Sequence, residues 1–463
     1  MKKIWIFIAL LPCVALSLQA QKPAKTELTR VEMSLTECVA FAQENSPLLL
    51  PVPQKLEGLE INYSAAQQAF LPSLNASVGQ NFSFGRSQAR DMSFTDNSSA
   101  NTSFSLSADL PIFSGGQRWY QLQKAKEARQ NADYIVRDVE DQIALQVTQS
   151  YIQLLLAKAL ATTAKDNLAL TKKSYEQIKQ QVEVGRAAES DLIDIQSQLG
   201  RDQLSVTETE ADVTRATRIL MLDMGLNPEV VETSDLDLDI AEMSPEAVVA
   251  NLEQAHPRLI NPKWEIPATA LLRSEVLLSE YDVKIAKSAL WPSLSLGGGY
   301  SNGYYYTYGE KYKDMNAPFK DQLKNNGRYF VGLSLSIPIY NRGQVRRQIR
   351  QMQLQTLNLQ SQLKQAQIND DRNIILARTD LEKAEEQYRV SKENVDLSKR
   401  ALDVADLQFK AGRINIYEWE QVKTRHLQAK ATYLQSIYTR LLRTINLTYF
   451  NTGDIATTLA EGK

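Results

Sequence analysis

Apolar positions follow two different periods along this chain, and the switch between them happens twice. After Pro72 the period is two: Leu74, Ala76, Val78, Gln80, Phe82 and Phe84 oppose Asn75, Ser77, Gly79, Asn81 and Ser83. A second such run sets Phe104, Leu106, Ala108, Leu110 and Ile112 against Ser103, Ser105, Ser107 and Asp109. Beyond Pro292, Leu294, Leu296, Gly298 and Tyr300 oppose Ser293, Ser295, Gly297 and Gly299. Val331, Leu333, Leu335, Ile337 and Ile339 then oppose Gly332, Ser334 and Ser336. Alternation of this kind predicts strands over about 74–84, 101–113, 293–308 and 328–340.

Each pair of strands leads into a long run of helical period. From Gly116 to Val184 there is no proline and no internal glycine, and apolar residues such as Ile135, Val139, Ile143, Val147, Tyr151 and Leu154 recur at spacings of three and four. The pattern predicts a helix over 116–184 and its counterpart over 343–411. At 1.5 Å per residue each is about 105 Å long, more than a globular core needs. Gly185-Arg186 and Gly412-Arg413 end them in tight turns. Return helices of about half that length come next, over 190–224 and 416–450. Helices over 54–70 and 264–290 are left to cover the remaining halves, stacked end to end with the return helices.

The chain is therefore two copies of one unit. Leu110-Pro111-Ile112-Phe113-Ser114-Gly115-Gly116-Gln117 and Ile337-Pro338-Ile339-Tyr340-Asn341-Arg342-Gly343-Gln344 lie 227 residues apart. Both read as strand-to-helix joints, where Pro111 or Pro338 ends the ladder and Gly116 or Gly343 lets the backbone turn. Leu71-Pro72-Ser73-Leu74 and Trp291-Pro292-Ser293-Leu294 repeat at an offset of 220, and the Gly-Arg turns at 227. Ordered landmarks at one offset predict a tandem repeat. The expected division is 21–225 and 264–453, with an irregular segment at 226–263 and a tail at 454–463. Within the first unit, Ser34 caps a short helix with Glu37 at the capping-box position, and Pro47, Pro51 and Pro53 break the stretch after it. Asp235 to Asp239 alternates like a solvated edge strand.

The first residues read as an export signal. Lys2 and Lys3 precede an apolar run from Ile4 to Leu18, and a cut before Gln21 gives 1–20 as signal peptide. The run is short for a spanning helix, and no other stretch is apolar enough to be one. A net charge of −2 gives no argument for nucleic acid. After the cut, Cys38 is the sole thiol, so no internal disulfide or zinc pair is expected.

The strands have the ten or so residues that a tilted strand needs to cross a bilayer. Their polar faces are Ser, Gly and Asn, suited to a wet lumen, and Phe82, Phe84, Tyr300, Tyr304, Tyr305, Tyr306 and Tyr308 cluster at one end as an interfacial girdle. A half-buried soluble sheet also alternates. If the strands do span a membrane, four cannot close a barrel, so chains must pool them: two would give eight strands and three would give twelve.

With the doubled joints, the doubled Pro-Ser-Leu turns and the doubled Gly-Arg tips in place, nearly the whole mature chain resembles the TolC family of outer-membrane factors. The resemblance implies a mixed α and β membrane protein: a homotrimer whose pooled strands form a twelve-stranded transmembrane β-barrel in outer-membrane lipid, above a coiled-coil α-barrel in the periplasm. It implies an exit duct of a tripartite efflux or type I secretion system, opened by a periplasmic adaptor and an inner-membrane pump. Residue by residue, the family's tip acids fall on Asp191 and Glu418. The aromatic of its cross-tip link falls on Phe409, the Arg of that link on Ile414 next to Arg413, and a further constriction acid on Gln421. The usual links are thus altered, leaving Arg413, Glu420 or Asp194 as substitutes. Gly185, Arg186, Gly412 and Arg413 mark the adaptor-docking tips. Asp191 and Glu418 also suit helix capping, with Asn415 as the second cap.

Only His256 and His426 are available as imidazoles, and no phosphate loop, nucleophile elbow or metal-ligand spacing is present. The chain is read as no enzyme, with no cofactor, no metal and no nucleic-acid partner. A diffusion porin and a structural coiled coil without a lumen stay open as alternatives. The long helices speak against the first and the serine-lined strand faces against the second.

Overall fold

The computed structural model describes residues 32–88, 92, 94–96, 98–229, 239–240, 244–255, 265–309 and 315–453. The signal peptide, most of the inter-repeat segment and the tail lie outside these residues. Strand β1 (Glu32–Met33) precedes α1 (Leu35–Asn45), where Ser34 and Glu37 form the capping box. A 3₁₀ turn (Pro47–Leu49) leads to α2 (Pro51–Gln68). Pro51 and Pro53 do not break this helix; they sit in its first turn, where a missing N–H costs nothing. Next come β2 (Ser73–Ser83), the small hairpin β3 (Arg86–Gln88) and β4 (Phe94–Asp96), and β5 (Ser99–Ser114).

The first long helix is not continuous. It is divided at Asn131 into α3 (Gln117–Gln130) and α4 (Ala132–Glu183). The Asn131 side chain donates to the Glu127 carbonyl (2.9 Å), and Tyr134 N–H reaches back only three residues to Asn131 O. An asparagine that competes for backbone partners needs no Gly or Pro to interrupt a helix. α5 (Glu189–Asp223) returns. The inter-repeat segment is not irregular throughout. It contains β6 (Asp239–Ile240), paired in parallel with β1, and α6 (Pro245–Ala255). Pro245 opens that helix rather than interrupting one.

The second copy runs α7 (Pro267–Ser288), β7 (Ser293–Thr307), the short α8 (Phe319–Asn325), β8 (Arg328–Ser336), α9 (Gln344–Lys410) and α10 (Ile416–Thr452). β8 stops at Ser336, short of the expected Tyr340. Strand β5 instead passes through Pro111, and a register shift between Pro111 and Phe113 absorbs the missing donor as a bulge. Phe113 rather than Ile112 therefore stands opposite Leu294.

One four-stranded antiparallel sheet, ordered β2-β5-β7-β8, combines the two copies. Its register aligns apolar rows across strands: Leu110, Leu296 and Leu333, then Ala108, Gly298 and Val331. The row Ser77, Ser105 and Ser301 lies on the other face, and a Ser77–Ser105 hydroxyl bond (2.6 Å) links it. Outer strands β2 and β8 each have one free edge. β7 overhangs β8 by the six residues after Ser301. Amide side chains complete that stretch: Gln322 both donates to and accepts from the Tyr305 backbone, and Asn316 does the same at Thr307, all at 2.9 Å. Asn326 donates to Gly303 O at 2.8 Å.

The helices form a single layer. Near the sheet the order is α2-α3-α7-α9; further away it is α5-α4-α10-α9. The short helices thus flank the upper halves of the long ones and the return helices flank the lower halves. Midway, α1, α4, α5, α6 and α10 share a core that includes Val39, Tyr151, Leu154, Leu220, Leu252 and Leu441. Cys38 lies in it, fully buried, and burial pushes its thiol up to about 12. No helix among the described residues is long and apolar enough to cross a membrane.

The two joints solve the same turn differently. Gly115 and Gly116 both adopt left-handed backbone (φ 64° and 87°), and their counterparts are Arg342 (56°) and Gly343 (72°). A Cβ on Gly115 would lie 2.3 Å from the Ser288 carbonyl oxygen and 2.9 Å from Trp291 Cβ. Gly115→Ala is therefore expected to destabilise by more than the ~1–2 kcal/mol of the left-handed conformation alone, whereas Arg342→Gly relieves that cost. Thermal unfolding in detergent checks both signs.

Candidate functional site at the helical tips

The ends of α4 and α9 furthest from the sheet are built alike. Gly185 (φ 72°) and Gly412 (66°) have open space where a side chain would stand. Arg186 N–H bonds to Gln181 O (2.7 Å) and Arg413 N–H to Gln408 O (2.8 Å), closing each helix with the same glycine-based cap. Helix α5 begins at Glu189, one residue before the expected start at 190, and its N-cap is Ala188. Asp191 serves the cap by accepting from Ala188 N–H at 3.3 Å. Asn415 Oδ1 accepts from Glu418 N–H at 2.8 Å at the start of α10. Glu418, Gln421, Asp194 and Arg413 are exposed.

Just above the tips the four lower helices meet in an apolar cluster of Ile178, Ile195, Ala405, Ile416 and Trp419. Phe409 and Ile414 pack against it rather than linking across the tip. Phe409 stacks on Trp419 with ring centroids 5.4 Å apart, and Trp419 Nε1–H donates to Asp406 Oδ1.

One heptad from three of these buried isoleucines the chemistry changes. Thr171 on α4, Asp202 on α5 and Lys423 on α10 lie seven residues from Ile178, Ile195 and Ile416, and all three are buried. Lys423 Nζ donates to Thr171 Oγ1, and Thr171 Oγ1–H donates to Asp202 Oδ2. Lys423 Nζ stands 3.6 Å from Asp202 Oδ2, and Gln198 Nε2 donates to Asp202 Oδ1 at 2.7 Å. The ammonium also lies 5.3 Å from the Trp419 ring centre. Burial lowers the Lys423 ammonium from its usual range, opposed by Asp202. Burial raises the neighbouring Glu420 carboxyl, opposed by Arg201 and Lys423, and Glu420 Oε1 has no hydrogen-bond partner. Sequence reasoning names Glu420 but misses Thr171, Asp202, Lys423 and Trp419. The signal available was a lysine and an aspartate on the core-facing heptad position of predicted helices.

The sequence profile of the outer membrane efflux protein family matches this chain over residues 40–226 and 270–449. The chain belongs to the outer membrane efflux protein family. Among curated relatives, it is 22% identical to the outer membrane protein TolC of Vibrio cholerae over 422 residues, 89% of each chain. It is also 22% identical to the cobalt-zinc-cadmium resistance protein CzcC of Cupriavidus metallidurans, over 70% of this chain and 71% of that one. Among solved structures, the CmeC outer membrane channel of Campylobacter jejuni superposes with a TM-score of 0.71 at 15% identity, covering 93% of this chain and 89% of that one. The open-state MtrE channel of Neisseria gonorrhoeae gives 0.66 at 15% identity, covering 90% and 89%. As a family member the chain is an outer-membrane efflux channel, its strands in the membrane and its helices in the periplasm.

Burial holds the Glu420 carboxyl above its usual range, so the tip region of this efflux channel is expected to respond to pH. A carboxyl whose folded pKa is raised favours the protonated form, so its contribution to stability is fully present below the unfolded value of 4.5 and is lost as pH rises through the folded value. Glu420→Gln is expected to raise the melting temperature at pH 7 and to flatten the gain that the parent shows on acidification toward pH 4.5. Melting curves across that range check it.

Proposed function

We propose that three copies of this chain form a passive duct, gated at its periplasmic tips and opened when an adaptor and an inner-membrane pump assemble on it. One observation carries this reading: the protomer is unfinished at both lateral ends, in both of its layers. The sheet ends in the free edges of β2 and β8. In lipid such edges are not tolerated, because each unpaired backbone group costs several kcal/mol. The apolar face is open as well, with Leu74, Val78 and Val331 at least 70% exposed. In the helical layer, α5 and α9 are the outermost elements and carry exposed apolar stripes. Ile193, Leu204 and Leu222 lie on one, and Leu354, Leu397 and Leu407 on the other.

Joining β8 of one copy to β2 of the next, and α9 to α5, closes both layers with the same rotation. Two copies would give eight strands, a barrel whose interior is filled by side chains; three give twelve and an aqueous lumen. Ser, Gly and Asn on the inner face suit water. The helical layers then stack as a tube below the barrel, and the tube narrows where Gly185 and Gly412 turn. Exposed Asp194, Glu418 and Gln421 and half-buried Asp191 stand nearest that constriction, and Gly185, Arg186, Gly412 and Arg413 offer the docking surface for an adaptor. The chain divides into repeats 21–225 and 264–453, with 226–263 in the band between them and residues 1–20 removed on export. The channel supplies a wet path and a gate, and the pump supplies the energy, so no residue here performs catalysis.

Unheated protein extracted from outer membranes in mild detergent is expected to have the native mass of three chains. Leu333→Pro, which removes a donor from the free-edge strand β8, is expected to shift that mass to one chain and abolish conductance. A one-chain particle from the parent overturns the proposal.

A further inference from the structure

The Thr171–Asp202–Lys423 network joins the two repeats where the gate must move. Thr171 and Asp202 belong to the first coiled coil, α4 with α5; Lys423 belongs to the return helix of the second, α9 with α10. Lys423 is 3% exposed and Asp202 5%, so water cannot replace either partner while the helices stay packed. Every other ion pair described between the lower helices of the two repeats or within them has solvent-exposed partners, such as Lys165–Glu210 and Arg389–Glu386. Exposed pairs of that kind contribute little and re-form easily. A buried pair behaves differently: separating it leaves two charges without water or partner. The apolar cluster next to it is held by non-directional contact, apart from the Trp419 indole N–H on Asp406, and so selects a register less sharply than a buried charge pair does. The network therefore defines one discrete position of α10 against α4 and α5.

We infer that Lys423 is a positioning residue of the gate, a latch whose pairing with Asp202 through Thr171 holds the second coiled coil against the first and keeps the duct shut. This inference rests on the duct reading. Opening the tips by moving α9 and α10 away from α4 and α5 separates the pair. Trp419 supplies the other half of the device. Its ring lies beneath the ammonium, and its indole N–H is held by Asp406 on α9. Displacement of α9 is thus transmitted through Trp419 to Lys423. The latch lies about 10 Å above the Ile178–Ile195–Ile416 layer, seven residues at 1.5 Å each. It sits inside the protomer, not on the surface that an adaptor reaches.

The test is the resting conductance of the purified three-chain particle in planar bilayers, with native mass as the control for assembly. Lys423→Met and Asp202→Leu are each expected to raise the resting open fraction at least tenfold with the mass unchanged. The charge swap Lys423→Asp with Asp202→Lys is expected to bring it back to within about threefold of the parent. Thr171→Val keeps the shape and removes the bridging hydroxyl, so it assembles even where a lone buried charge does not; it is expected to raise the open fraction about threefold. Single variants that conduct like the parent, or a Thr171→Val channel as quiet as the parent, overturn the latch. A swap as leaky as the singles overturns it too, because packing at those positions would then matter and not the pairing. Failure of the duct reading looks different: the parent would show no three-chain particle at all.

Discussion

Backbone groups in lipid have no water to turn to. That constraint explains why this chain is built as it is. Four strands cannot close on themselves, so the sheet must be completed by other copies. The helices inherit the same arrangement, because each long helix leaves the sheet through a joint that fixes its place in the layer. A protomer that looks incomplete in isolation, with Val331 and Ile339 more than 80% exposed, is the necessary unit of a closed assembly.

The two repeats share a plan but not an energy balance. At the first joint two glycines make the turn against the packed Ser288–Trp291 segment; at the second, an exposed Arg342 takes the same left-handed position. The first long helix is divided at Asn131 while the second runs unbroken for 67 residues. Around the tips the asymmetry becomes useful. An acid and a hydroxyl come from the first repeat and an ammonium from the second, so the contact between repeats is a charge pair that two identical copies could not make.

Most of the fold was legible because it is periodic. Alternation located the strands and heptads located the helices, and the landmarks 227 residues apart gave the repeat. What escaped is what periodicity does not encode. Pro111 was read as a stop, but a bulge let β5 continue to Ser114. Asn131 carries no breaker signal and still divides a helix. Within the inter-repeat segment, Pro245 opens α6 where an irregular stretch was expected. At the tips the resemblance directed attention to half-buried Asp191, whose carboxylate caps α5, and to exposed Glu418, which gives only its backbone N–H to the Asn415 cap. The buried chemistry lay one heptad beyond the apolar layer. It was hidden because a lysine on a long helix is ordinarily read as part of a solvated face.

The amide-capped overhang of β7 has a mechanical meaning for the assembled barrel. Side-chain amides on Asn316, Gln322 and Asn326 occupy the edge that a longer β8 would have used. β8 therefore offers a neighbour at most nine residues, while β5 and β7 are paired from Ser99–Thr307 to Ser114–Ser293. Each seam between copies is shorter than the central seam within a copy. In the proposed three-chain barrel the short seams therefore flank each β8, with nine pairs to β7 inside a copy and at most nine to the next copy, against fifteen in the central seam, so β8 is the strand that heat or detergent meets with the least ladder to break.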